Sequence, residues 1–79
     1  MKETIKKVNA WLNIATTDEI TAMLSALNLT DWERIVFEDA YIRKIRQDVI
    51  GMDRGASTSK VCKSLARTKK MIHRFFQAR

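Results

Sequence analysis

RQDVIGMDRGASTSKVCK, from Arg46 to Lys63, is the stretch that decides how this chain is read. Gly51 and Gly55 are the only glycines of the sequence, there is no proline, and both glycines fall inside this one stretch. The run from about Arg46 to Arg54 reads as a short helix that ends at Gly55. Without a Cβ, glycine takes the left-handed conformation that closes a helix at little cost. A sharp turn follows, and Ser57 is the natural N-cap of the next helix, with Thr58 or Ser59 serving if the start shifts.

That next helix is expected to run to about Phe76. At about 100° per residue, Val61, Leu65, Thr68, Ile72, Phe75 and Phe76 share one sector and must pack on the core. The opposite sector holds Ser59, Lys60, Lys63, Arg67, Lys70 and Arg74, and no acidic residue occurs between Ser57 and the C-terminus. Like charges three or four residues apart cost a few tenths of a kcal/mol per pair, roughly, in an isolated helix. A cationic stripe of this kind is often no more than a solvated surface. Here it follows a short helix and a glycine turn, the order of a helix-turn-helix, in which the second helix enters the major groove of DNA. Ser57, Thr58, Ser59, Lys60 and Lys63 would then face base edges. Arg67, Lys70 and Arg74, with Arg43, Lys44 and Arg46 from the preceding segment, are better placed for phosphates.

Upstream of this stretch the apolar residues also recur at spacings of three and four, so helices are expected throughout. The first runs from about Glu3 to Ala15, with Ile5, Val8, Leu12 and Ala15 on one face and Trp11 beside them. Thr16 with Glu19, and Thr30 with Glu33, have the spacing of a capping box, in which hydroxyl and carboxylate satisfy NH groups that lack a helical partner. A second helix therefore starts near Thr16 and buries Ile20, Met23, Leu24 and Leu27. A third starts at Thr30, where Asp31 adds negative charge to the positive end of the helix dipole. It bears Trp32, Ile35, Val36, Ala40 and Tyr41 inward and is expected to end near Lys44 or Ile45. The fold class is all-α, a small bundle of about five helices with a C-terminal helix-turn-helix. All of residues 1–79 form one domain, in which 1–28 are an N-terminal helical pair.

The net charge of +6 is unevenly spread. Residues 1–40 carry four Lys or Arg against seven Asp or Glu, and residues 41–79 carry eleven against two, so the halves stand at −3 and +9. Such segregation favours a polyanionic partner. One cysteine rules out an internal disulfide, and one cysteine with one histidine cannot complete a zinc site, so no metal or other cofactor is expected. With no disulfide framework and no unbroken apolar stretch, the expected compartment is the cytoplasm, with no membrane association. Dimerisation is the support still open to a thin core.

The residues that invite a catalytic reading are weak. His73 has no nucleophile near it in sequence and no second carboxylate to orient it. Cys62 sits at the border of the buried sector, where a small core role is expected. Asp48 and Asp53 lie near the turn, but paired carboxylates without a glycine-rich loop or metal-ligand cluster do not make a hydrolase. Trp11, Trp32, Tyr41, Phe75 and Phe76 read as core or dimer-interface aromatics. No enzyme is expected, and no catalytic residue is assigned.

The run LTDWER from Leu29 to Arg34, then Tyr41, Ile50-Gly51, Gly55-Ala56-Ser57 and Val61, resembles the fourth region of bacterial sigma factors and the small regulators, some phage-encoded, that share its fold. The resemblance covers about residues 29–75. It implies a recognition helix that starts near Ser57 and reads promoter-like double-stranded DNA, with RNA polymerase as a protein partner. Gly51 stands where that pattern usually has alanine, and Asp53 and Arg54 where it is usually apolar. Arg54 is expected to lay its methylene stem on the core and lift its guanidinium outward. The first 28 residues lie outside the match, and the promoter-melting region of a complete sigma factor is not expected within 79 residues. The expected function is sequence-specific DNA binding as a transcriptional regulator. The alternative is a protein-interaction module, in which contact with RNA polymerase or another regulator comes first. A third reading lays the basic helix on an acidic membrane, but the core claims the apolar sector that would have to insert. The N-terminal pair, with Trp11 and Leu12, is expected either to cover the core or to form the two-fold interface of a homodimer.

Overall fold

Five helices and no strands make up the described residues. The structure, a computed structural model, describes residues 2–78, and the side chains of 6–78. The helices are α1 (Lys2–Ile14), α2 (Thr17–Ala26), α3 (Asp31–Tyr41), α4 (Gln47–Arg54) and α5 (Thr58–Gln77). At about 1.5 Å per residue, α5 is roughly 30 Å long, close to the 36 Å long axis of the molecule. It is also the hub of the bundle, since α1, α3 and α4 all pack principally against it.

Both capping boxes form. Thr16 NH donates to Glu19 Oε1 at 2.8 Å and Glu19 NH to Thr16 Oγ1 at 3.1 Å. Thr30 NH donates to Glu33 Oε1 at 3.1 Å and Glu33 NH to Thr30 Oγ1 at 3.2 Å. Each box satisfies NH groups at the start of a helix, which is why α2 and α3 begin where those threonines stand.

The core is one cluster drawn from every helix. Val8 and Leu12 come from α1, Ile20, Met23 and Leu24 from α2, Val36 and Phe37 from α3, Ile50 from α4, and Val61, Leu65 and Ile72 from α5. Leu27, Trp11, Ala15, Trp32, Ala40 and Tyr41 are partly buried around it. Ile5, expected on the inner face of the first helix, lies outside the described side chains. Phe37, which the inward stripe expected for α3 did not include, is the largest fully buried side chain. Its ring lies 4.5 Å from that of Tyr41.

The third helix ends earlier than expected, at Tyr41 and not near Lys44 or Ile45. Lys44 takes a left-handed conformation, φ 60°, and is the only described non-glycine residue with positive φ. Ile45 NH then returns to the Asp39 carbonyl at 2.9 Å, so the reversal occupies the segment expected to be the last turn of helix.

Candidate nucleic-acid interface

Two glycines build the joint between α4 and α5, and they do different things. Gly55 is left-handed, φ 67°, and its NH bonds the Gly51 carbonyl. Ala56 NH bonds the same carbonyl at 2.8 Å, so two amides beyond the helix find an acceptor. Gly51 sits under the turn. A Cβ there would lie 2.6 Å from the Ala56 carbonyl oxygen, a backbone atom that cannot step aside. Ser57 then caps α5, its Oγ accepting from Lys60 NH at 3.1 Å. The chain therefore leaves α4, turns within Gly55–Ser57 and starts α5 at a fixed angle.

A buried carboxylate braces this joint from behind. Asp39, on α3, is almost fully buried, and its Oδ2 accepts from Arg54 Nε at 3.1 Å while its Oδ1 accepts from Arg43 Nη1 at 2.9 Å. A buried carboxylate is tolerated only when paired and hydrogen-bonded. Arg54 therefore does not lift its guanidinium to solvent as expected, but turns it back onto Asp39 and ties α4 to α3. One carboxylate between two guanidiniums leaves this corner net positive.

All eleven residues expected at the interface are exposed. At the head of α5, Ser57, Thr58, Ser59, Lys60 and Lys63 lie together, though the Ser57 hydroxyl is committed to its cap. Lys60 Nζ rests 5.2 Å above the ring of Trp32, a cation–π contact that holds this side chain along α3. Lys63 and Lys70 have no ion-pair partner among the described residues. Arg67 stands 3.5 Å from Glu33 Oε2 but keeps most of its side chain in solvent. Arg74, the last cation of the stripe, is at the far end of α5, beside Phe75 and Ala78.

The three cations preceding α4 are less alike than expected. Arg43 is bound to Asp39, whereas Lys44, at the left-handed turn, makes no ion pair among the described residues. Arg46 donates to both oxygens of Asp48, at 3.2 and 2.7 Å. That hydrogen bond holds the Asp48 carboxyl below its ordinary range and raises the Arg46 guanidinium. Arg46 nonetheless lines an open cleft with Tyr41, Ile45, Gln47, Asp48 and Thr58, so the start of α4 and the start of α5 share one concave surface.

The places of two residues on α5, exposed Cys62 and half-buried Lys69, did not emerge from the helical sectors. Cys62, expected to be a small core residue, is exposed, because the helices packed on α5 do not reach its side of the apolar sector. Lys69 was absent from the expected stripe. Its Nζ stands 5.0 Å above the Tyr41 ring, on the flank opposite Lys60, and its place beside Lys70 was the available signal. Among the described residues no group of three His, Cys, Asp or Glu could hold a metal, and no helix is long and apolar enough to cross a membrane. Comparison with protein-family models, curated proteins and solved structures finds no match to this chain.

Proposed function

We propose that the protein binds double-stranded DNA as a transcriptional regulator in the cytoplasm, with α4, its glycine turn and α5 acting as a helix-turn-helix. The observation that carries this reading is the joint at Gly51 and Gly55. It projects the capped head of α5 into solvent, where Lys63 and Lys70 make no ion pair among the described residues. A helix presented by a short partner helix and a tight turn fits the major groove. Thr58, Ser59 and Lys63 are the side chains for base edges. Lys60, Arg67, Lys70, Lys44 and Arg46 are those for phosphates, and Ser57 and Arg43 serve through the cap and the corner they build. Arg74, in the last turn of α5, stands apart from this set. The resemblance of residues 29–75 to the fourth region of sigma factors supports the same reading and adds RNA polymerase as a partner.

A duplex-binding measurement across salt concentrations tests it. Each phosphate neutralised contributes a slope of about −0.9 to log K against log salt. The stripe predicts a steep overall slope, and Lys70→Glu should both weaken binding and flatten that slope by roughly one phosphate. No duplex affinity at low salt would sink the proposal.

A second reading, a module that binds another protein first, is favoured by Met52, which stands 80% exposed on α4. An exposed methionine beside the proposed DNA surface suits an adaptable protein contact. Capture of RNA polymerase from nuclease-treated lysate that is lost in Met52→Lys would favour it over direct DNA binding.

A further inference from the structure

α2 is the helix least held by the rest of the bundle, since the principal helix contacts are all made among α1, α3, α4 and α5. It turns Ile20, Met23 and Leu24 inward. That leaves Glu19, Ala22 and Ala26, at spacings of three and four, along one outer stripe. The stripe borders a groove whose other wall is aromatic, made by Trp11, Phe75 and Phe76. Trp11 and Phe76 meet edge to face with ring centroids 5.6 Å apart, which fixes that wall. Past Ala26 and Phe75 the groove continues between Leu27, Met71 and Arg74. It is thus an apolar trough with one carboxylate at its head and one guanidinium at its foot.

Both end charges are available. Glu19 spends Oε1 on the cap of Thr16, and Oε2 has no partner among the described residues. Arg74 makes no ion pair among them either. A surface that is acidic at one end and basic at the other is complementary to itself when a second copy lies antiparallel on it. A two-fold axis supplies that arrangement, because it places each residue opposite the counterpart of its pair. Alanines at i and i+4 allow two helices to approach closely at such an axis.

We propose that this trough is the interface of a homodimer, in which α2 lies antiparallel on α2 of a second copy around an axis near Ala22 and Ala26. Glu19 of each chain then pairs with the partner's Arg74, and the aromatic walls close over the alanines. The arrangement does not rest on DNA binding. It takes Arg74 out of the phosphate-contacting set and leaves the Ser57 end of both α5 helices free.

Sedimentation equilibrium of the full chain, free of nucleic acid, tests it from micromolar to millimolar concentration. The expected species is twice the chain mass. Ala26→Glu puts two carboxylates into an apolar contact and should weaken the dimer at least about a hundredfold. Helix content by circular dichroism should persist in that variant, because the Ala26 side chain is exposed in the single chain. Glu19→Arg, read against a Thr16→Ala control that breaks the same capping box without reversing a charge, and Arg74→Glu should each weaken it on the order of tenfold, since every break occurs twice in a symmetric dimer. Combining them should restore association to within about threefold of the unmodified chain. A chain that stays monomeric to millimolar concentration overturns the proposal. So does a dimer indifferent to Ala26→Glu, or a double variant no tighter than the single ones.

Discussion

Residues 2–28 and residues 30–57 each fold into two short helices joined by a turn, yet they are held in place by different means. α1 and α2 are fixed by an apolar stripe and by the box of Thr16 and Glu19, interactions that tolerate small adjustments. α3 and α4 are fixed by a backbone carbonyl that leaves no room for a Cβ on Gly51 and by a buried carboxylate held by Arg54 of α4 and by Arg43 of the turn after α3. A substitution in the first region should lower stability and leave the geometry intact. A substitution in the second should move the head of α5, and with it the proposed DNA surface.

Gly51→Ala is the strongest way to break that contrast. Alanine would gain about 1 kcal/mol of helix propensity, but the contact at 2.6 Å is with backbone, and overpacking of that kind costs about 1–3 kcal/mol before any such gain. The contact is tight enough that the cost should win. We expect a net loss of stability of up to about 2 kcal/mol and a fall in melting temperature of roughly 4–8 °C per kcal/mol. Thermal unfolding checks it, and an unchanged melting temperature would show that the turn can yield.

Arg54→Ala comes next. It leaves the buried Asp39 with Arg43 alone, a partner whose own side chain is mostly exposed. An uncompensated buried polar group costs about 1–3 kcal/mol, so urea unfolding should place this variant about 1–2 kcal/mol below the parent. The same substitution at Arg46, whose pair with Asp48 is in solvent, should change little.

The two capping boxes allow a matched comparison. Thr30→Ala and Thr16→Ala each remove an N-cap worth about 1 kcal/mol. Thr30 should cost more, because its bonds to Glu33 are partly buried while those of Thr16 to Glu19 are exposed. Equal losses by urea unfolding would erase the distinction between the regions. The smallest effect has the opposite sign. Lys44→Gly relieves a left-handed lysine, φ 60°, a conformation that costs an L-residue roughly 1–2 kcal/mol. Offset by the freer unfolded chain, the gain should be about 0.5 kcal/mol.

What could be read in the sequence was local. Thr16 with Glu19, Thr30 with Glu33, and Gly55 followed by Ser57 announce helix ends within four residues, and each of those boundaries stands where its spacing put it. The end of α3 was missed because Lys44 occupies a left-handed position that sequence patterns assign to glycine or asparagine. Asp39 gave no sign of being buried, since the arginine that turns back to it is fifteen residues away. Cys62 was misjudged for a related reason. A helical projection marks the border of the apolar sector, but only the placement of neighbouring helices decides which side of that border is covered. The candidate surface was legible as a stripe, and what escaped was how unequally its cations are engaged, from free Lys63 and Lys70 to tethered Arg43 and Arg46.

The most direct test of the proposed reader is a titration of the ¹⁵N-labelled chain with a generic DNA duplex, followed by amide chemical shifts. The account predicts shifts concentrated at Ser57–Lys63, with smaller ones at Arg43–Arg46 and Lys70, and an unmoved α2. Absence of shifts at low salt, or shifts gathered on α1 and α2, would contradict it.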